Sequence, residues 1–166
     1  GGPPQPSPYP EQLRKLAGQL GIAERVEFTG HLRDPFTFLA GVDLSIHASI
    51  EPEPFGRVAA ESMLMSVPVI AAAGSGAAEY VEQANAGLST PPRDVEALAK
   101  AMHYLINNDS LRRELAEHGR QYALTEFAPS TIAGQLVSLY EDLAAGRKHP
   151  ITITGRSSPA PSIVTS

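Results

Sequence analysis

The segment that decides the fold is residues 51–81, EPEPFGRVAAESMLMSVPVIAAAGSGAAEYV. At its centre is VPVIAAA, residues 67–73, a nearly continuous apolar run of the kind found in parallel strands that are covered on both faces. Helical patterns flank this run, from about residue 55 to 65 before it and over GAAEYVEQ, residues 76–83, after it. The segment therefore predicts a helix–strand–helix unit of an α/β fold.

The same alternation continues on both sides of this segment. Further strands are predicted at RVEFTG (25–30), at VDLSIHAS (42–49), with Val42, Leu44 and Ile46 on one face, and at AGLST (86–90). Further helices are predicted over residues 11–20 and 110–124, from Asp34-Pro35, after a cap at Asp94, and from Pro129. The last of these helices has a stripe that is interpreted as core, formed by Ile132, Leu136, Leu139, Tyr140 and Leu143. Such alternation predicts a Rossmann-like parallel sheet with helices on both faces.

Composition sets the class of protein. Of the 166 residues, 42% are hydrophobic and 19% are charged, which is typical of a soluble globular domain. The net charge of −5 disfavours a protein that tracks nucleic-acid phosphates. The sequence has no cysteine, which excludes disulfides, thiolate metal sites and cysteine nucleophiles.

The two ends of the chain differ in character from the middle. Residues 1–9 are rich in proline and are interpreted as a truncated strand or the remnant of a tag, and residues 146–166 as a disordered tail. The folded domain is therefore predicted over residues 10–145. Its apolar runs are too short to span a bilayer, and no secretory signal precedes it, so the predicted location is the cytoplasm, with peripheral attachment to the inner membrane face left open for the full-length protein.

Glu53 and Glu61 lie where such sheets bind ligands. Loops 51–56 and 73–77 both follow strands, and parallel sheets bind ligands beyond the carboxyl ends of their strands. Glu53 precedes a helix whose first amides are expected at Phe55 and Gly56, a position that favours oxygen-rich or anionic ligands. Glu61 is expected two turns into that helix, up to roughly 12 Å away. That spacing exceeds the 5–5.5 Å or so of a retaining-glycosidase pair. It suits two carboxylates that grip opposite ends of one ligand, although Glu61 facing solvent is the alternative.

The loop AAAGSGAAE, residues 71–79, has two interpretations. Two glycines between a buried strand and a helix form either a cradle of backbone amides or a tight turn. The loop matches neither G-x-G-x-x-G nor the P-loop pattern. The loop alone therefore does not identify a phosphate site.

The combination of these features resembles the signature of the retaining glycosyltransferases of family 4, also called glycosyltransferases group 1. That signature is E-P-F-G, four residues, E, a PVI strand, and a Gly-rich loop that ends in E-I/L/Y-V. RVEFTGHL (25–32) and the segment AGLSTPPRDVEALAK (86–100) are similar to other parts of the family. The resemblance covers roughly residues 10–143.

The resemblance implies a fold and an activity. Family members have a GT-B fold, in which two Rossmann-like domains face each other across a cleft, and this chain looks like the C-terminal, donor-binding half. The N-terminal domain would supply the acceptor site, and the Arg and Lys that hold the diphosphate would precede Gly1. The implied reaction is hexosyl transfer from a UDP-, GDP- or ADP-sugar to a glycan or lipid, without a cofactor. No metal is expected, because the sequence has no Asp-x-Asp. The isolated chain is expected to be inactive.

The resemblance also implies roles for individual residues. Glu53 would act at the reacting face of the donor sugar, and Glu61 would bind the ribose hydroxyls. The remaining positions are Pro54, Phe55 and Gly56 at the donor sugar, Gly30, His31 and Leu32 at the base, and Gly74, Ser75, Gly76 and Glu79 in the loop near the sugar. Ser75 stands where the family usually has glycine, so a loss of freedom for positive φ is expected there.

The roles of two residues and the class of protein also have alternatives. His47 either lines the cleft or is structural, and Arg57, a substitute for the missing cations, is expected to point outward. The chain is alternatively a non-catalytic nucleotide-sugar-binding module, or half of a split transferase. A nucleotide-sugar epimerase is disfavoured by the E-P-F-G motif.

Overall fold

The structure, a computed structural model, describes residues 8–51 and 53–147. Most of the predicted N-terminal start (1–7) and of the predicted tail (148–166) lies outside the described residues. The chain forms two compact units, Gly1–Asp34 and Pro35–Ser166.

The described part of the first unit, residues 8–34, contains one α-helix, α1 (Tyr9–Gln19), followed by a single 3₁₀ turn at Ala23–Arg25. The helix predicted over 11–20 is therefore confirmed, with Pro10 tolerated in its first turn. The strand predicted over residues 25–30 is wrong. Val26 has extended backbone angles, φ −120° and ψ 119°. A strand also needs a hydrogen-bonded neighbour, however, and none of the described strands pairs with this segment.

The second unit alternates strands and helices and then ends in three helices. In chain order its elements are α2 (Pro35–Leu39), β1 (Ser45–His47), α3 (Arg57–Leu64), β2 (Val69–Ala72), α4 (Gly76–Gln83), β3 (Gly87–Thr90), α5 (Val95–Ile106), α6 (Asp109–Glu126) and α7 (Pro129–Ala144). The predicted helix caps form, since the carboxylate of Asp94 accepts a hydrogen bond from the Ala97 amide at 2.9 Å.

The three strands form one parallel sheet in the order β1-β2-β3. All four residues of β2 are buried, and the first three alternate between two core clusters. Val69 and Ala71 pack in the cluster that includes Met63 and Val81, whereas Ile70 packs in the cluster that includes Leu105. Because successive side chains of a strand point to opposite faces, helices cover both faces of the central strand. The predicted Rossmann-like α/β fold is confirmed.

Strand β1 is shorter than predicted. Ser45 is buried, whereas 39% of Ile46 is exposed. The reason is its position: β1 pairs only with β2 and is the edge of the described sheet, where side chains are incompletely covered. Leu44, just before the strand, does pack against the core.

Helices α3 and α7 also depart from expectation. Gly56 has φ +79°, a left-handed conformation that cannot continue a right-handed helix, so α3 begins at Arg57 rather than near Phe55. Glu61 is consequently one turn into the helix and not two. In α7 no residue is buried, and 67% of Tyr140 is exposed, so the interpretation of its stripe as core is wrong. No helix of the described residues is long and apolar enough to cross a membrane.

Candidate donor-binding site

The site is built on two loops at the carboxyl ends of β1 and β2. These are the EPFG loop, residues 53–56, and the glycine loop, residues 73–76. The Gly76 amide donates to the carbonyl oxygen of Glu53 at 2.9 Å. The Tyr80 hydroxyl, one turn into α4, donates to the carbonyl oxygen of Gly56 at 2.6 Å. Two hydrogen bonds therefore fix the EPFG loop, at its first and last residues, to the start of α4.

Both glycines at this junction are required by close approach. A Cβ at Gly76 would lie 2.1 Å from the carbonyl oxygen of Pro54. A Cβ at Gly56 would lie 2.7 Å from Cβ of Ala77 and 2.9 Å from Oε1 of Glu53, and φ there is positive as well. No other residue fits either position without moving the backbone.

The glycine loop is a tight turn that Ser75 stabilises. The Ser75 side chain is 2% exposed, accepts a hydrogen bond from the Ala78 amide at 3.2 Å and donates one to the carbonyl of Ala72 at 2.7 Å. Its φ is −89°, and the positive φ of the loop, +79°, falls on Gly74. The expected loss of freedom at Ser75 is therefore wrong, because this position needs no positive φ. The amides of Ser75 and Gly76 bond to protein carbonyls, which favours the tight turn over an amide cradle.

Glu53 contacts one specific partner. Nε2 of His47, the last residue of β1, contacts Oε1 of Glu53. Both atoms are shielded from solvent, and neither has another hydrogen-bond partner among the described residues. An ionised carboxylate only accepts, so a hydrogen bond at this contact requires the imidazole N–H as its donor. Of the Glu53 side chain, 33% stays exposed. His47 is therefore in contact with the residue that the family resemblance places at the donor sugar.

A cluster of aromatic rings packs against Phe55 of the EPFG loop. The rings of Phe55, Tyr80 and Phe127 have centroids 5.2–5.5 Å apart, and the ring of Tyr122 packs edge-on against Phe127. Burial is the main cause that raises the pKa of the Tyr80 hydroxyl far above its usual range. The negative charge of Glu53 raises it further, against a hydrogen bond from the Ala60 backbone that lowers it. Sequence reasoning missed Tyr80, although the residue directly follows Glu79 in the motif.

Glu61 lies on α3, outside the EPFG loop, and lines cavities that do not include Glu53. Arg57, Ala60, Glu61 and Leu64 have the i, i+3, i+4, i+7 spacing of one helix face. Glu61 lines a cavity of about 370 Å³ with Phe55, Arg57, Ala60, Phe127 and Ile132. A second cavity of about 330 Å³ also includes Glu61, together with residues of α6 and α7. Arg57 is exposed, as expected, but its position beside Glu61 makes it a cation within the same cavity.

Four other predicted positions remain, one on α4 and three in the first unit. Glu79 is exposed on α4. Gly30, with φ +64°, His31 and Leu32 belong to the first unit, and their role at the base stays a prediction. Within residues 8–51 and 53–147, no group of three His, Asp or Glu side chains is placed to hold a metal ion.

Comparison with known proteins identifies the family. Residues 5–122 match the model of the glycosyl transferases group 1, and the chain belongs to this family. The lipopolysaccharide core biosynthesis glycosyltransferase LpsE of Rhizobium meliloti is 33% identical over 129 residues, which are 78% of this chain and 38% of LpsE.

Solved structures agree with the fold. Anabaena Alr3699/HepE in complex with UDP has a TM-score of 0.76 and 34% identity over 81% of this chain and 37% of that one. Sucrose-phosphate synthase from Thermosynechococcus elongatus has a TM-score of 0.75 and 31% identity over 88% of this chain and 37% of that one. The resemblance to one half of a GT-B transferase is confirmed, and the chain spans less than two-fifths of each of these relatives.

Proposed function

We propose that this chain is the nucleotide-sugar donor-binding domain of a retaining, metal-independent glycosyltransferase. Its substrate is a UDP-, GDP- or ADP-sugar, and the acceptor is a glycan or lipid. The observation that carries the proposal is the EPFG loop, which is tied to α4 at both ends. At the carboxyl edge of the sheet it presents the Glu53 side chain, of which one third is exposed. The UDP complex of the related HepE supports a nucleotide-linked donor. Retention of configuration rests on the family signature.

The proposed mechanism uses charge stabilisation in place of a metal. Glu53 accepts hydrogen bonds from hydroxyls of the donor sugar and holds the reacting face in place. Helix α3 begins directly after the loop, so the amides of Arg57 and Val58 have no intrahelical acceptor. The positive end of this helix dipole suits a diphosphate leaving group, whose negative charge develops in the transition state. Glu61 binds the ribose hydroxyls, and Arg57 beside it adds a positive charge.

The second candidate is a donor-binding module that lacks its own acceptor site, either non-catalytic or paired with another chain. The chain spans 38% of LpsE and 37% of HepE, and the two candidates differ in what supplies the acceptor site. An N-terminal Rossmann-like domain is the proposed source of the acceptor site and of the remaining phosphate-binding cations. The proposed location is the cytoplasm.

The test is binding and transfer by the 166-residue chain alone. Without two charge-assisted phosphate contacts, worth about 1.5–3 kcal/mol each, nucleoside diphosphates should bind with a Kd on the order of 1 mM. NMR titration with UDP, GDP and ADP should shift the amides of residues 53–57 and of Glu61, and no sugar should be transferred. The absence of any shift at saturation would contradict the donor site, and measurable transfer would show that the chain needs no second domain.

A further inference from the structure

The buried contact between His47 and Glu53 is not accounted for by the binding roles above. Among the described residues, Nε2 of His47 and Oε1 of Glu53 are shielded from solvent and have only each other as polar partners. A buried polar atom without a partner is costly, so each atom depends on the other. Removal of the imidazole would therefore leave a buried carboxylate oxygen with nothing to bind.

The position of Oε1 is constrained from a second side. This oxygen lies against Gly56, where an added Cβ would be only 2.9 Å away. Gly56 itself is held by the hydroxyl of Tyr80. Oε1 is thus enclosed between the imidazole and the backbone of the EPFG loop. The exposed third of the Glu53 side chain leaves the other oxygen, Oε2, to face a ligand.

From this arrangement we infer that His47 is the positioning residue of Glu53. The contact with His47 occupies Oε1 of Glu53 and thereby directs Oε2 at the donor sugar. The inference rests on the proposed function of Glu53. His47 is well placed for this task because it ends β1, whose register with β2 is set by the pairs Ser45–Val69 and His47–Ala71. A side chain on a strand end moves less than one on a loop, so the carboxylate is held in a defined orientation before the substrate arrives.

Two substitutions separate this role from simple packing. The amide nitrogen of glutamine reaches about as far as Nε2 of histidine, whereas that of asparagine reaches only about as far as Nδ1. In the complete transferase, His47→Asn should lower kcat by about 10- to 150-fold, the effect of one lost hydrogen bond to a charged group, and change the donor KM less. His47→Gln should restore most of the rate. Both variants should bind the bare nucleoside diphosphate as the wild type does, because the sugar is absent.

Equal losses of rate in His47→Asn and His47→Gln, or a wild-type rate in His47→Asn, would overturn the inference. Melting temperatures of both variants would show whether the fold is preserved.

An NMR measurement on the 166-residue chain tests the contact without any transferase activity. Two-bond ¹H–¹⁵N spectra of the 5 histidines report which ring nitrogen carries a proton. His47 should show a protonated Nε2, and Glu53→Ala should alter the signals of His47 far more than those of the other four. An unprotonated Nε2, or signals of His47 that do not respond to Glu53→Ala, would overturn the positioning role. A transferase that is inactive as wild type would instead refute the proposed function.

Discussion

At the scale of the residue, the two glutamates of the motif have different surroundings. Glu53 is paired with His47 at the end of a strand, whereas Glu61 lines an open cavity with Arg57 and Phe55. Neither cavity that Glu61 lines includes Glu53. Substitution of the two glutamates should therefore affect different steps.

Glu61→Ala should weaken binding of nucleoside diphosphate and nucleotide sugar alike, because both carry the ribose. The loss of one charged acceptor is expected to cost about 1.5–3 kcal/mol, or roughly 10- to 150-fold in Kd. Glu53→Ala should leave the affinity for the bare nucleotide nearly unchanged and lower kcat more than it raises KM, as for a contact that strengthens in the transition state. Calorimetry and initial rates in the complete protein measure both effects.

The control for this pair is Glu114→Ala, which removes an exposed carboxylate of α6 outside both cavities. Glu114→Ala should change neither the Kd for the nucleoside diphosphate nor kcat. Equal loss of nucleotide binding in the Glu53 and Glu61 variants, or unchanged turnover in both, would refute the division of roles.

At the scale of the element, the site depends on how α4 begins. The amide of Gly76, the hydroxyl of Ser75 and the hydroxyl of Tyr80 each bond to a backbone carbonyl of a neighbouring loop or strand. These bonds join the start of α4 to the EPFG loop and to β2. The first turn of α4 consequently serves as the support for the EPFG loop.

Gly76→Ala should disturb this support. The new Cβ would overlap the carbonyl of Pro54, and overpacking of this kind typically costs about 1–3 kcal/mol in the free energy of unfolding. Urea denaturation of the 166-residue chain gives the value. Gly134→Ala is the matched control, since a Cβ there meets nothing within 4 Å on α7, and it should be neutral or stabilising by up to about 1 kcal/mol. Equal stability of both variants would show that Gly76 and the carbonyl of Pro54 are farther apart in solution than in this structure.

At the scale of the whole molecule, the core of the second unit lies around β2, and the last helix adds little to it. Leu105 is 0% exposed and packs with Ile70, whereas 47% of Leu136 on α7 is exposed. Burial predicts which of two Leu→Ala substitutions lowers the free energy of unfolding more. Leu105→Ala should lower the free energy of unfolding by about 2–5 kcal/mol.

Leu136→Ala in the same chain should change the free energy of unfolding by no more than about 0.5 kcal/mol. Chemical denaturation of the two leucine variants side by side tests the contrast. If Leu136→Ala proves as costly as Leu105→Ala, the apolar stripe of α7 is buried in solution.

Much of this protein follows from its sequence alone, because the signals are local. The apolar run at 67–73 predicts the covered central strand, and the helix GAAEYVEQ is found at the predicted residues, 76–83. Asp94 and Pro35 mark the starts of helices because capping depends only on residues within one turn. The family was also evident from sequence, since the spacing of the E-P-F-G motif, the second glutamate and the Gly-rich loop lies within one continuous segment.

The tertiary structure alone decided the features that depend on residues far apart in the chain. Residues 25–30 have the composition of a strand, but none of the described strands pairs with them, and Ile46 is exposed because β1 is an edge of the described sheet. Ser75 suits its loop because the positive φ falls on Gly74, and α3 begins late because Gly56 is left-handed. The partner of Glu53 is six residues earlier on a different element, and the partner of Gly56 is 24 residues later. Periodicity reports which face of a segment is apolar, whereas only packing decides which side chains and backbone atoms meet.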